Sequence, residues 1–117
     1  MINSVVLVGH LGNDPELKYT QGGRAVTTFR LAVDRPQRKG QERVTDWLNI
    51  VCFGVIAESC AQYLKSGSLV AVEGAIHSRT WKTKEGESRY NVEIYGEVIK
   101  FLDKKEKTNE QDNMSGM

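Results

Sequence analysis

The sequence lacks most of the features that would point to a specialised environment. Its 117 residues include only two cysteines and two prolines, and no apolar run approaches the roughly 20 residues that a membrane-spanning helix needs. The N-terminus has no basic segment of the kind that begins a secretory signal peptide. Neither sign of charge dominates, since 16 Lys and Arg face 15 Asp and Glu. These absences predict one compact domain in the cytoplasm and argue against a disulfide framework.

Residues that carry chemistry are also few and scattered. Cys52 and Cys60 have neither the spacing of a zinc site nor that of a redox motif, and we expect both to be buried free thiols. His10 and His77 are isolated within predicted strands. No glycine loop of the Walker pattern is present. The sequence therefore predicts a protein that is not an enzyme, with no catalytic residue, no metal site and no cofactor.

The most strand-like stretch is the run TDWLNIVCFG at positions 45–54. Side chains alternate across a strand, so Leu48, Ile50 and Cys52 form a wholly apolar face that we expect to line the core. The opposite face carries Trp47, Asn49, Val51 and Phe53. Two aromatic rings on a partly solvated sheet face predict a platform on which flat ligands stack.

The rest of the chain predicts an all-β domain with one short helix. Besides 45–54, strands are expected at 4–11, 25–34, 69–77, 90–96 and 98–102, with an amphipathic helix between Gly54 and Gly67. Odd-numbered residues of the second strand point inward, which places Arg30 on the outer face. This element order predicts a five-stranded Greek-key barrel of the OB-fold type with long β-hairpin extensions.

Basic residues are concentrated in two predicted hairpin loops. Positions 35–43 hold four cations and one Glu, and positions 79–89 hold four cations and two Glu. A solvated hairpin tip is the simpler interpretation of such a cluster. The second cluster also contains Trp81, which shares a strand face with Arg79 if the strand at 69–77 continues without a bulge. Cations follow a phosphate backbone while rings stack on bases, so this combination favours non-specific binding of single-stranded nucleic acid.

Four segments carry a resemblance to a known family: VVLVGHLGNDPELKYTQGG, TDWLNIVCFGVIAE, YLKSGSLVAVEGAIHSRTW and RYNVEIYGEVI. In order and spacing they resemble the bacterial single-stranded DNA-binding proteins over about residues 2–101. The resemblance implies an OB-fold domain at 1–102 that assembles into a homotetramer. It also implies a nucleoid-associated protein that binds and protects single-stranded DNA during replication, recombination and repair.

Carried over by position, the resemblance places the stacking aromatics at Trp47, Phe53 and Trp81. A third tryptophan, typical of the best-known members, is absent, and its place falls at about Gln37. Each stacked base contributes roughly 1–3 kcal/mol, so one platform fewer predicts either weaker binding or a shift of binding toward the charge of Arg35, Arg38 and Lys39. The remaining residues expected to contact DNA are Arg30, Arg35, Arg38, Lys39, Asn49, Arg79, Lys82, Lys84 and Arg89.

The last fifteen residues, DKKEKTNEQDNMSGM at 103–117, have no apolar periodicity and are predicted to form a short disordered polar tail. Family members usually end in a glycine-rich linker and an acidic tip that recruits replication and repair proteins. The sequence ends without these features, so we do not expect recruitment of that kind. A second interpretation stays open, a dimeric adaptor that resembles primosomal replication protein N and binds single-stranded DNA more weakly.

Overall fold

Residues 1–103 of the chain are described by the computed structural model and fold into six strands and one helix. In chain order the elements are β1 (Val5–Leu11), β2 (Glu16–Tyr19), β3 (Ala25–Asp34), β4 (Thr45–Phe53), α1 (Gly54–Tyr63), β5 (Leu69–Lys82) and β6 (Ser88–Phe101). The predicted tail lies outside the described residues apart from Asp103, whose carboxylate accepts a hydrogen bond from the Leu69 N–H at 3.1 Å. Within residues 1–103, no helix has the length and apolar character needed to cross a membrane.

The strands close into a ring because β1 pairs along both of its edges. One edge pairs with β5, and the other meets the end of β3 at His10–Ala32 and Leu11–Leu31. The ring therefore runs β1, β3, β4, β6, β5. The β4–β6 pairing is parallel and the other ring pairings are antiparallel. This closed arrangement, with α1 between β4 and β5, confirms the predicted OB-type barrel.

Two elements near the ends of the barrel differ from the prediction. Strand β2 is absent from the predicted elements, because the alternation that Leu17 and Tyr19 provide spans only four residues, all of them exposed. It pairs with the first part of β3. The predicted end of the helix at Gly67 is wrong. The helix ends at Tyr63, since Leu64 already has extended backbone angles (φ −102°, ψ 154°) and turns its side chain into the core.

The hairpin of β5 and β6 is longer and less regular than predicted. The two strands expected at 90–96 and 98–102 form one strand, in which Glu73 pairs with Val98 and Gly74 with Gly96. The extra residue, Glu97, forms a bulge, and a bulge bends and twists its strand. Within the described chain, residues 77–82 and 88–93 pair only with each other, and we call this two-stranded extension the arm.

The core lies inside the ring, where the inward residues of the strands meet α1. Ile50 and Cys52 are fully buried, as the alternation predicts. The Thr27 hydroxyl donates a buried hydrogen bond of 2.7 Å to the carbonyl oxygen of Ala57, which fixes the helix to β3. Val51, predicted on the outer face, is also buried, because it lies mid-sheet between β3 and β6.

Both cysteines are free and buried, as predicted. The neighbouring Cys60 thiol, together with burial, raises the pKa of the Cys52 thiol. A thiol rather than a thiolate is unreactive as a nucleophile. Both side chains are fully buried in the core cluster, so they contribute to packing.

Two buried glycines allow the strands of the ring to approach closely. A Cβ at Gly74 would overlap the carbonyl oxygen of Tyr95, and one at Gly9 would overlap that of Ala32. Glycine within a strand is typical of such close backbone approach. Larger residues at these positions would force the neighbouring strands apart.

Candidate nucleic-acid interface

One outer face of the barrel continues onto the arm and collects most of the predicted site residues. Residues that pair directly across neighbouring strands lie on the same side of a sheet. The register pairs Arg30 with Asn49 between β3 and β4, and Trp81 with Arg89 between β5 and β6. We call this surface the outer face, and its principal members are Arg30, Trp47, Asn49, Phe53, His77, Arg79, Trp81, Arg89, Glu93 and Tyr95.

Both tryptophans are exposed and each is covered by an arginine. Trp47 is 51% exposed, and the Arg30 guanidinium lies 4.5 Å from its ring centroid. Trp81 is 46% exposed, with the Arg79 guanidinium at 5.5 Å. Arg79 and Trp81 are two residues apart on β5, and Arg30 pairs across to Asn49, which is two residues from Trp47. Each arginine therefore lies beside a flat ring on the same face. Such points suit a nucleotide, whose base stacks while its phosphate binds the cation.

Phe53 begins a second aromatic group at the centre of the outer face. It is half-buried, and the guanidinium of Arg24 lies 4.6 Å from its ring centroid. The Tyr95 ring is 5.5 Å from Phe53, tilted by 46°. His77 then stacks on Tyr95 with a centroid separation of 3.8 Å and an angle of 4°. The result is a continuous row, which we call the aromatic row, from Phe53 through Tyr95 to His77.

Four residues at this face, Arg24, His77, Glu93 and Tyr95, are missing from the sequence-based site. His77 was predicted to be a strand residue that shares a side with Arg79 and Trp81, and it lies in β5. Its stacking on Tyr95 is a contact that the sequence did not indicate. The alternation of RYNVEIYG places Tyr95 on the same side of its strand as Arg89. This alternation does not show that Tyr95 lies beside the β4 aromatics, because that requires the parallel pairing of β6 with β4. Arg24 precedes its strand and has no periodic signal.

Three of the predicted phosphate-binding arginines already contact carboxylates. Arg35 donates two hydrogen bonds to Asp46, at 3.0 and 3.1 Å. Arg89 pairs with Glu87 at 3.0 Å, and Arg79 lies 3.6 Å from Glu93. All three arginines are more than half exposed, so solvent screens these pairs. The hydrogen bonds from Arg35 hold the pKa of Asp46 below its ordinary value of 3.8.

The remaining predicted cations are exposed at two ends of the surface. Arg38 and Lys39 lie in the loop between β3 and β4, where the Gln41 N–H donates to the Arg38 carbonyl oxygen and closes a turn. Lys82 ends β5, and Lys84 lies in the tip of the arm. The structure therefore brings Arg30, Asn49 and Trp47 together, whereas the loop and arm-tip cations are carried on separate extensions. Within residues 1–103, no group of three or more His, Cys, Asp or Glu side chains is placed to hold a metal ion.

Known proteins are similar to this chain in both sequence and fold. The single-strand binding protein family matches residues 2–102. A single-stranded DNA-binding protein of Thermotoga maritima is 44% identical over 106 residues, covering 88% of this chain and 75% of the relative. Single-stranded DNA-binding protein 3 of Clostridium acetobutylicum is 46% identical over 103 residues, covering 87% and 72%. A solved Plasmodium falciparum SSB, in complex with single-stranded DNA, matches with a TM-score of 0.81 and 32% identity, covering 88% of this chain and 96% of that one.

Proposed function

Because the chain belongs to the single-strand binding protein family, we propose that it binds and protects single-stranded DNA, with a role in replication, recombination and repair. The observation that carries the proposal is the outer face, where Trp47, Trp81 and Phe53 each lie under an arginine. Rings and cations at the same points are what sequence-tolerant binding requires, because every base has a π-face and every nucleotide has a phosphate.

The arginines over the rings suggest how binding proceeds. Without DNA, the guanidinium of Arg30 covers one face of Trp47 and gains a cation–π contact. An incoming base competes for that ring, and the displaced guanidinium then turns toward the phosphate of the same nucleotide. The arginine exchanges its contact with the ring for a contact with the phosphate. Its guanidinium has already lost water to the ring, so the phosphate contact does not require the full cost of desolvation again. Arg24 with Phe53 and Arg79 with Trp81 follow the same scheme.

The aromatic row extends the stacking surface beyond the three predicted rings. Tyr95 joins Phe53 to His77 across the middle of the face. We assign Tyr95 a stacking role that compensates for the absent third tryptophan, although Tyr95 lies on β6 and the place of that tryptophan falls in the β3–β4 loop. Phosphates then follow the cations of the β3–β4 loop on one side and those of the arm on the other.

We also propose that the chain associates with further copies of itself, through a second surface formed by the solvent-facing side chains of β1. Val6 and Val8 are 69% and 52% exposed, and they pair across to Glu73 and Ala71 of β5. Val98 of β6 is also exposed on this side, beyond Glu73. Exposed apolar side chains grouped in this way are typical of protein interfaces. A homotetramer in the cytoplasm, associated with the nucleoid, is the assembly that we propose, and sedimentation equilibrium tests its mass.

The adaptor interpretation is not favoured, because the relatives of 44% and 46% identity are named single-stranded DNA-binding proteins. Family membership also favours a binding protein over an enzyme. A dimer with weak affinity for single strands would reverse this preference.

The decisive experiment is a titration of tryptophan fluorescence with an oligothymidylate, with duplex DNA of equal phosphate content as the control. The chain has two tryptophans, and both lie on the outer face, so stacking quenches the whole signal. We expect strong quenching by the single strand and little by the duplex. The affinity should fall with salt, with a log–log slope of about −0.7 per phosphate neutralised. Equal responses to both DNA forms, or an affinity that does not change with salt, would contradict the proposal.

A further inference from the structure

A hollow of about 240 Å³ opens on the outer face where β3, β4 and β6 meet. Polar side chains supply much of its lining, among them Arg30, Asn49 and Glu93. Arg30 also covers the Trp47 ring. A DNA strand with a base stacked on Trp47 therefore lies close to this hollow.

Glu93 places a carboxylate in the lining of this hollow. Its side chain is 16% exposed, and its nearest cation, the Arg79 guanidinium, lies at 3.6 Å, which is longer than a hydrogen bond. Within residues 1–103, no side-chain or backbone group is found donating a hydrogen bond to its carboxylate, so both oxygens retain acceptor capacity. A carboxylate repels phosphate, which means that Glu93 favours contact with bases rather than with the DNA backbone.

The donors and acceptors around the hollow match one edge of an amino-bearing base. An ionised carboxylate only accepts hydrogen bonds, whereas the Asn49 amide and the Arg30 guanidinium can donate them. Cytosine presents an amino donor next to a ring acceptor, and acidic side chains accept from that amino group in known complexes. Thymine presents a carbonyl oxygen at the same place, which the carboxylate repels.

We propose that this hollow is a base-edge subsite that selects amino-bearing bases over thymine, with Glu93 accepting from the amino group and Asn49 donating to the adjacent acceptor. The inference rests on the proposed function, because it assumes that bases reach the outer face. It adds a local preference to binding that is otherwise tolerant of sequence.

The test compares oligodeoxycytidylate with oligodeoxythymidylate of equal length, because the two pyrimidines stack similarly and differ at this edge. The variant is Glu93→Gln, and the matched control is Glu87→Gln, which also removes a carboxylate paired with an arginine of the arm. Loss of either negative charge strengthens binding to both oligonucleotides, so the readout is the ratio of the two affinities. We expect Glu93→Gln to shift that ratio about fivefold toward thymidylate, and Glu87→Gln to leave it unchanged.

Each other outcome is informative. An equal change for both oligonucleotides in Glu93→Gln would mean that the residue acts only through its charge or by holding Arg79, and would overturn the subsite. Failure of the unchanged chain to bind either oligonucleotide would overturn the proposed function as well. Thermal melting checks that the variants fold. If Glu93→Gln does not, Asn49→Leu on the opposite wall should weaken cytidylate binding more than thymidylate binding, and an equal loss would again overturn the proposal.

Discussion

Replacing Tyr95 with leucine is expected to weaken binding to single-stranded DNA about fivefold while the domain stays folded. Leucine keeps apolar volume beside Phe53 but removes the flat ring that stacks at 3.8 Å on His77. A stacked base contributes roughly 1–3 kcal/mol. One face of Tyr95 already contacts His77, so we take the lower limit, about 1 kcal/mol, which corresponds to about fivefold in Kd.

The assay for this variant is the oligothymidylate titration, since Trp47 and Trp81 remain as reporters. The matched control is Tyr63→Leu, which removes a tyrosine that is 65% exposed on α1, away from the outer face. It should bind like the unchanged chain. Thermal melting of both variants separates lost contacts from lost structure. Equal affinity of the two folded variants would refute the assignment of Tyr95 to the stacking surface.

Four further substitutions test other parts of the structure. Trp81→Ala should weaken DNA binding by roughly 1–3 kcal/mol without changing the melting temperature. Ile50→Ala should instead lower the free energy of unfolding by about 2–5 kcal/mol. If Trp81→Ala unfolded the domain and kept the affinity, the assignment of the faces would be reversed. Gly74→Ala places a methyl group against a carbonyl oxygen of β6 and should lower the melting temperature by about 10 °C or more. An unchanged melting temperature would show that β5 and β6 can move apart at this point without loss of stability. Asp46→Asn frees Arg35 for phosphate and should steepen the salt dependence of binding by about 0.7 in slope. The hydrogen bonds from Arg35 lower the pKa of Asp46, so their stabilisation is present above the ordinary pKa and is lost as the pH falls through the lowered one. The unchanged chain should therefore be more stable than Asp46→Asn near neutral pH, and an acid titration of stability should show this difference disappearing at low pH. An identical salt slope would show that Arg35 does not reach DNA.

The stacking platform on β4 follows from local sequence alone. Alternation of side chains is a property of any extended chain, so a run such as TDWLNIVCFG separates Trp47 and Phe53 from Ile50 and Cys52 before any partner strand is known. The same reasoning places Arg30 on the outer face of β3. For these residues the sequence-based faces agree with the observed burial.

Other features depend on which strands become neighbours. The parallel pairing of β6 with β4 brings Tyr95 next to Phe53, and no spacing along the chain indicates that contact. The bulge at Glu97 is equally invisible, because it is defined by the partner strand. Ion pairing likewise decides which basic residues are available, as Arg35 shows with Asp46.

The sequence by itself therefore determined the type and order of the main elements, the inward and outward faces of the strands, and the aromatic and basic character of one surface. Only the tertiary structure decided the aromatic row, the arginines over the rings and the hollow beside Glu93. The physical reason is that periodicity acts between residues a few positions apart, whereas these features join side chains from strands that are distant in sequence and meet only when the barrel closes.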